Sequence, residues 1–204
     1  MNNNGKMSNW AIKKYAFGGI IVIILLILLY FTGFLDGTPT IEVERGQNIC
    51  FTDQRPDLND PEILLCVPAA FSSEDGRIIG HYSTGQGRKG ITNYSYTTIN
   101  LDNNTHFQQA SLIKNHKVKS FTDSKRRFRR ALCKKDGKFS VVHSKIPITL
   151  NGFSKQLEDY DNAWNLDMGT YSYGWYKDEK GIHHLGLSSI FNRNKQTNWI
   201  IVKK

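Results

Sequence analysis

The sequence has few cysteines and lacks the spacings that mark common metal and nucleotide sites. There are three cysteines in 204 residues, Cys50, Cys66 and Cys133. No Cys-x-x-Cys or Cys/His ligand spacing occurs, which argues against a structural zinc site. The glycine-rich segment 85–90 lacks the Gly-Lys-Ser/Thr ending of a phosphate-binding loop and is interpreted as a turn. Both a Cys50–Cys66 disulfide and three buried thiols are compatible with the sequence.

Acidic residues are absent from the first 35 positions, whereas Lys6, Lys13 and Lys14 lie there. The whole chain carries a formal charge of +9, and the part after residue 35 carries +6. A moderately basic domain suits anionic partners such as phosphate groups, acidic glycans or lipid headgroups, although solubility alone explains the charge equally well. We expect no nucleic-acid partner.

Residues 15–35 contain no charged side chain, and Asp36 follows them directly. Twenty-one helical residues span about 30 Å, the thickness of a bilayer's hydrocarbon core. The lysines before the segment and the acids after it predict a cytoplasmic N-terminus and a periplasmic or otherwise extracytoplasmic domain. A cleaved signal peptide is the alternative, but no small-x-small cleavage site follows the segment. The sequence thus predicts a single-pass protein of the cell membrane, in contact with the lipid bilayer through residues 15–35.

Short apolar segments separated by turn residues predict an α+β domain with mixed or antiparallel sheets and one or two helices. The predicted organisation is a tail (1–14), a transmembrane helix (15–35), a stalk with a first strand (36–61) and one domain (62–204). Within these parts the expected strands are 40–45, 62–71, a return strand 77–82, 91–99, a hairpin 108–118 that turns at Asn115-His116, 138–144, 164–166 and 198–202. Residues 149–160 have helical periodicity, with Thr149 as the N-cap.

Two polar residues border apolar segments in a way that predicts chemistry. Arg130 ends the basic run 126–130 and immediately precedes an apolar stretch, so it is expected to point inward, where a guanidinium needs a carboxylate or phosphate partner. Asp167 follows the apolar segment 163–166 and precedes a turn, a position suited to acid/base work or metal ligation. A solvated basic run and a turn-capping aspartate are the plainer interpretations.

The histidines give a weaker signal. His81 lies on the expected return strand, where a single histidine is more often a packed or exposed residue than a catalytic one. The remaining five have no metal-ligand spacing and are interpreted as structural. The sequence requires no cofactor, and a divalent cation at Asp167 is possible without a recognisable oxygen-ligand cluster to support it.

Taken in order, these segments resemble the phosphodiester glycosidase family, which includes the catalytic domain of the uncovering enzyme and bacterial relatives. The resemblance extends over about residues 62–204, and the ordered set of motifs is more specific than any one of them. The matching segments are Val67-Pro68-Ala69-Ala70-Phe71, Asp75-Gly76-Arg77, Gly80, Ala110-Ser111-Leu112-Ile113-Lys114-Asn115, Arg130-Ala131-Leu132, Asp136-Gly137-Lys138, the helix after Ile148, Ala163-Trp164-Asn165-Leu166-Asp167-Met168-Gly169 and Asn198-Trp199-Ile200-Ile201-Val202.

The resemblance implies hydrolysis of a sugar that is linked through its anomeric oxygen to a phosphodiester, so the expected partner is a sugar phosphodiester or an anionic glycan. On this basis Arg130 would bind phosphate and Asp167 would act at the sugar, since carboxylates stabilise an oxocarbenium-like state. Asn165 would orient the substrate. The remaining candidate substrate-binding residues are His81, Gly169 and Tyr171, which begins an aromatic run.

Two positions depart from the family pattern. The early Asn-Gly segment of the family is replaced by Pro68-Ala69-Ala70, and the glycine after the aspartate is replaced by Met168. The departures fit either a divergent hydrolase with its own substrate or a glycan- or phosphate-binding envelope protein that has lost catalysis. A third hypothesis assigns the basic segment 125–135 to electrostatic binding of anionic lipid or nucleic acid.

Overall fold

The structure is a computed structural model that describes residues 40–42, 48–85, 87, 89–168, 173–185 and 196–204. The first sheet contains β1 (Thr40–Glu42), β7 (Ser111–Lys114), β8 (Lys117–Val118), β9 (Arg130–Lys135), β10 (Lys138–His143) and β11 (Asn162–Asn165). The second contains β2 (Asn48–Thr52), β3 (Ile63–Pro68), β12 (Gly174–Asp178), β13 (Gly181–Leu185) and β14 (Trp199–Lys203). The third contains β4 (Tyr82–Thr84), β5 (Thr97–Asn100) and β6 (Thr105–Gln109), and the helix α1 is Leu150–Gln156.

The described strands pair antiparallel throughout, in the orders β1-β10-β9-β11-β7-β8, β13-β12-β3-β14-β2 and β4-β6-β5. With one helix in the described part of the chain, the domain is α+β and rich in β-structure, as predicted. The predicted transmembrane helix lies outside the described residues. Within the part of the chain that is described, no helix combines the length and apolar character needed to cross a bilayer.

Three groups of buried side chains hold these elements together. The largest joins all three sheets and includes Val67, Phe107 and Leu132. A second lies between the first sheet and α1, where Phe153 and Leu157 are fully buried. The third covers the other face of the second sheet and includes Cys66, Trp175 and Trp199. The first sheet therefore has two different buried faces, one under α1 and one toward the other sheets.

Local sequence signals fix α1 and two hairpins. The Thr149 hydroxyl accepts a hydrogen bond from the Gly152 amide at 3.1 Å and caps α1, as predicted. The predicted turn at Asn115-His116 joins β7 to β8 with φ of 49° and 61°. Asp136 and Gly137 join β9 to β10 with φ of 50° and 79°. Positive φ at both central positions matches the right-handed twist of the flanking strands.

The predicted return strand 77–82 is present only as a short antiparallel contact after the turn. Ile78 makes a single bridge with Ser72, and the chain continues into β4, which pairs with β6. The partners of β3 are β12 and β14, which come from the far end of the sequence. Local periodicity does not record which distant segments pair with each other. For this reason the nearby apolar segment 77–82 looked like the hairpin partner of β3. The predicted strand 91–99 is likewise shortened to β5, and an Asn93 turn precedes it.

The structure rules out the Cys50–Cys66 disulfide. Both cysteines lie directly opposite Ile201, on the two sides of β14. Two strand spacings separate them by about 9.5 Å, well beyond disulfide reach. All three cysteines are free thiols.

Candidate functional site

Arg130 is the first residue of β9 and is fully buried, as its place before an apolar segment predicted. Ala131 and Cys133 face α1, and Leu132 faces the other sheets. Because side chains alternate along a strand, Arg130 shares the inner face with Leu132. It lies opposite His143 on β10. A guanidinium thus enters the space between the sheets at the start of β9.

Asp167 reaches the same end of the sheet because β11 runs beside β9. The Leu166 amide donates to the Arg130 carbonyl at 2.9 Å, and the Asp167 amide donates to the Ala69 carbonyl at 3.0 Å. Asp167 therefore links the end of β11 to the segment that follows β3 in the second sheet. Its side chain is only 9% exposed. The two residues that the sequence singled out for chemistry lie at one junction between the sheets.

Charge coupling connects the two residues. Burial lowers the pKa of Arg130 to about 10, while negative charge on Cys66 and Asp167 acts in the opposite direction. Burial raises the pKa of the Cys66 thiol to about 12, so the thiol is neutral at physiological pH. Asp167 is consequently the acidic group that compensates the Arg130 charge under those conditions.

His143 joins this group, although no local sequence pattern selects it. Its ring is stacked on Phe128, with the centroids 6.3 Å apart. Burial, followed by the positive charge of Arg130, lowers the pKa of His143 to about 4, so the ring is neutral at pH 7. Its buried Nδ1 has no hydrogen-bond partner among the described residues. His143 is identified by its position opposite Arg130 in the pairing of β10 with β9. A local sequence pattern does not show which residues of two strands lie opposite each other.

Tyr96 is a second residue that sequence reasoning missed. Burial and then the charge of Asp167 raise the pKa of its hydroxyl. The ring contacts Phe71 edge-on, with centroids 6.3 Å apart. Gly80 lies against the same ring, because a Cβ added at Gly80 would lie 3.4 Å from Tyr96 Cδ2. A phenol and a carboxylate thus lie near each other beside the Ala69–Phe71 segment.

Asn198 holds that segment in place. Its side-chain oxygen accepts from the Ala70 amide at 2.7 Å, and its Nδ2 donates to the Ala70 carbonyl at 3.1 Å. Asn198 and Ala69 are both fully buried. The Ala69 carbonyl accepts the hydrogen bond from the Asp167 amide. Asn198, which directly precedes β14, therefore holds in place the backbone segment whose Ala69 carbonyl accepts the hydrogen bond from the Asp167 amide.

The other predicted site residues are placed differently. Asn165 pairs with Ala131 and shares its α1 face, and its buried Oδ1 lacks a hydrogen-bond partner among the residues described. The His81 amide donates to Gln108 Oε1 at 2.9 Å, and its Nε2 lies 3.4 Å from Thr92 Oγ1. Gly169 and Tyr171 lie outside the described residues. Met168 is half-buried directly after Asp167.

The described residues contain no group of three or more His, Cys, Asp or Glu side chains that is arranged to hold a metal ion. Among the described residues, the junction brings together a guanidinium, a carboxylate, a phenol and a neutral imidazole. A guanidinium binds phosphate oxygens in a bidentate manner, and a carboxylate stabilises positive charge that develops on a sugar.

Comparison with solved structures finds a distant relative for this fold. The chain is similar to the catalytic domain of zebrafish N-acetylglucosamine-1-phosphodiester alpha-N-acetylglucosaminidase, auto-inhibited by its pro-peptide, with a TM-score of 0.53 and 12% identity. The match covers 78% of this chain and 73% of that one. A hypothetical protein from Synechocystis is matched at a TM-score of 0.37 and 14% identity, over 79% of this chain and 38% of that one.

No family model and no curated protein sequence matches the chain. At 12% identity, the likeness to the zebrafish domain is one of fold.

Proposed function

We propose that this protein hydrolyses a bond between a sugar and a phosphodiester group. The observation that supports the proposal is the junction between the sheets, where buried Arg130 and Asp167 are coupled by charge. A buried guanidinium is costly unless an anion compensates its charge, and a guanidinium can bind phosphate oxygens in a bidentate manner. The distant likeness in fold to a phosphodiester glycosidase supports the same reaction class.

In the proposed reaction, water attacks the anomeric carbon and the bond from that carbon to the phosphoester oxygen breaks. The bonding electrons leave with the phosphate monoester, and the proton that the attacking water loses passes to this monoester or to bulk water. Arg130 would stabilise the charge that grows on this phosphate. Asp167 would stabilise the oxocarbenium-like sugar. His81, Gly169 and Tyr171 remain candidates for substrate contacts, whereas Asn165 lies on the α1 face of the sheet and would act on the substrate only through the backbone of β11.

The proposal includes an extracytoplasmic location, with the apolar segment 15–35 in the cell membrane and the N-terminus in the cytoplasm. Its support is the sequence alone: the absence of charge in that segment and the three lysines that precede it. Labelling of single-cysteine variants with a membrane-impermeant thiol reagent in intact cells tests it. Labelling after residue 36 but not before residue 15 is expected, and the reverse pattern would contradict it.

The catalytic test uses the full-length chain and a panel of sugar-1-phosphodiesters, with free sugar and phosphate monoester both quantified. We expect release by the wild type and a loss of about a hundredfold or more in kcat/KM with Asp167→Asn. Arg130→Lys retains the charge but not the bidentate geometry and should raise KM as well as lower kcat.

Matched controls come from a neighbouring pair. Asp123 and Arg129 are 3.2 Å apart, and Arg129 directly precedes Arg130 in the chain. Asp123→Asn should leave kcat/KM within about twofold of wild type, because this pair lies outside the junction. An equal loss in Asp123→Asn and Asp167→Asn would contradict a specific role for Asp167.

A binding protein without catalysis is the second candidate, and the Ala69–Ala70 segment favours it. These two side chains are buried beside Asp167 and offer no polar group where the family pattern carries Asn-Gly. Saturable binding of the same phosphodiesters, weakened by Arg130→Lys, without release of sugar over days, would support this candidate over hydrolysis. Strongly salt-dependent binding of anionic lipid or nucleic acid that requires Arg126 and Arg127 would instead support the electrostatic hypothesis.

A further inference from the structure

A second concave region lies away from the Arg130–Asp167 junction. It is a cavity of about 410 Å³ whose walls include Asp53, Arg77, Ile78, Tyr82, Ile91 and Thr197. None of the candidate catalytic or substrate-contact residues that the structure describes is among these walls. Its volume falls in the range of small-molecule sites in proteins.

One wall of the cavity is apolar and held firmly. Ile78 is buried, and the buried ring of Tyr82 packs on Phe51 with centroids 5.3 Å apart. Phe51 in turn stacks on Phe107, whose centroid is 5.2 Å away. Gly90 permits the close approach of the opposite segment, since a Cβ there would lie 2.1 Å from the Gly80 carbonyl oxygen. The cavity therefore has a preformed apolar face rather than a collapsible one.

The other wall carries charges of both signs. Asp53 Oδ2 accepts from the Tyr82 hydroxyl at 3.3 Å and lies 3.6 Å from Lys89 Nζ. Among the described residues, Gln54 Nε2 contacts Asp53 Oδ1 at a long distance of 3.4 Å. Burial, then the Asp53 charge, raises the pKa of Tyr82, so its hydroxyl stays protonated. A carboxylate acceptor is thus held in place with one oxygen weakly engaged.

Arg77 supplies donors at the rim. Its Nε is 2.6 Å from Asp75 Oδ2, which fixes the plane of the guanidinium while the side chain remains 70% exposed. The Thr197 hydroxyl lies 2.7 Å from Ser72 Oγ. Fixed donors, a fixed carboxylate and a hydroxyl face the same space, with an apolar surface beside them.

The alternation of charge limits the class of ligand. An anionic ligand would meet Asp53, and a cationic ligand would meet Arg77. A neutral polyhydroxyl ring satisfies both signs, because each hydroxyl donates to a carboxylate and accepts from a guanidinium group. Its C–H face would pack on Tyr82 and the isoleucines.

We infer that this cavity binds an uncharged pyranose unit of a glycan. The inference concerns binding alone and does not require hydrolysis at Asp167. One short segment, residues 69–72, nevertheless connects the cavity to the Arg130–Asp167 junction. The Ala69 carbonyl accepts a hydrogen bond from the Asp167 amide, and the Ser72 hydroxyl contacts Thr197 in the cavity wall.

The test is an NMR titration of the ¹⁵N-labelled full-length chain in a detergent without a sugar headgroup. The probes share one pyranose ring and differ in charge: methyl glucoside and methyl N-acetylglucosaminide are neutral, methyl glucuronide is anionic and methyl 2-amino-2-deoxyglucoside is cationic. We expect saturable shifts centred on the amides of Gly76, Gly90, Ile91 and Thr197 with a neutral probe. Binding of both charged probes should be about fivefold weaker or more.

Two variants locate the site. Asp53→Asn removes the charged acceptor and Tyr82→Phe removes the hydroxyl that positions it, and each should weaken neutral-sugar binding about tenfold. Asp178→Asn is the matched control, since Asp178 also accepts from a side chain, His183 at 2.8 Å, but lies on β12 outside the cavity wall. It should bind like wild type.

Three results would overturn the inference. They are the absence of saturable shifts with either neutral probe, shifts centred on another surface, and tighter binding of a charged probe than of a neutral one. If neutral sugars bind here while no phosphodiester is cleaved, the cavity inference stands and the proposed hydrolase fails. If phosphodiesters are cleaved while no sugar binds at the cavity, the hydrolase stands and the cavity inference fails.

Discussion

The two faces of the first sheet are both buried, yet they are filled in different ways. Beneath α1, the sheet presents Ala131, Cys133 and Ala163 to Phe153 and Leu157, an apolar contact. On the inner face, the same strands bring Arg130 and His143 into the space between the sheets. The first face is what stability requires of a sheet covered by a helix. The second retains charge at an energetic cost, which is typical of a functional site.

Phe153→Ala should have the largest effect on stability. The side chain is fully buried under α1, so truncation loses burial energy and leaves a cavity, at a cost of about 4 kcal/mol in the free energy of unfolding. Urea denaturation of the full-length chain measures it. Phe128→Ala is the control: Phe128 is 37% exposed, and its loss should cost less than about 1 kcal/mol. Similar losses in both would contradict the assignment of α1 to the apolar core.

Arg130→Met should cost about 3 kcal/mol, because it leaves Asp167 buried without its compensating charge. Adding Asp167→Asn to that variant should recover part of the loss, and a double-mutant cycle measures the coupling between the two side chains. The neighbouring Arg129–Asp123 pair is the comparison, since Asp123 is 38% exposed. Its coupling should stay below about 1 kcal/mol. Additive losses at Arg130 and Asp167 would refute the charge coupling.

His143→Gln should change the pH dependence of stability by a smaller amount. The folded-state pKa of about 4 lies below the unfolded value near 6.5, so above pH 6.5 the ring is neutral in both states and has no effect. As pH falls toward 4, the unfolded chain takes up a proton that the folded chain does not, and stability decreases. Wild type should lose about 2 kcal/mol more than His143→Gln between pH 7 and pH 4.5.

Denaturation curves across that pH range test this expectation. His116→Gln is the control, because the His116 side chain is 71% exposed and lies on the β7–β8 turn. It should lose stability with pH as the wild type does. Parallel curves for wild type and His143→Gln would mean that His143 is not held neutral beside Arg130.

Prediction from sequence succeeded where neighbouring residues decide the structure. Thr149 caps α1 and Asn115-His116 turn a hairpin, since caps and tight turns depend on side chains a few positions apart. Prediction overestimated the length of the return strand 77–82, because an apolar pattern indicates that a segment is buried but not which segment pairs with it. His143, Tyr96 and Asn198 were missed for a related reason: each matters through a residue more than ten positions away.

The sequence by itself determined the α+β class, the periodicity of α1 and the inward direction of Arg130, because each follows from local patterns of apolar and polar residues. Only the tertiary structure decided that Asp167 meets the chain at Ala69, that Asn198 fixes Ala70, and that Asp53 and Tyr82 share a cavity with Arg77. These contacts join segments that are distant in the chain. Burial of apolar surface holds those segments together, and because that force is non-directional, no local pattern records which segments will meet.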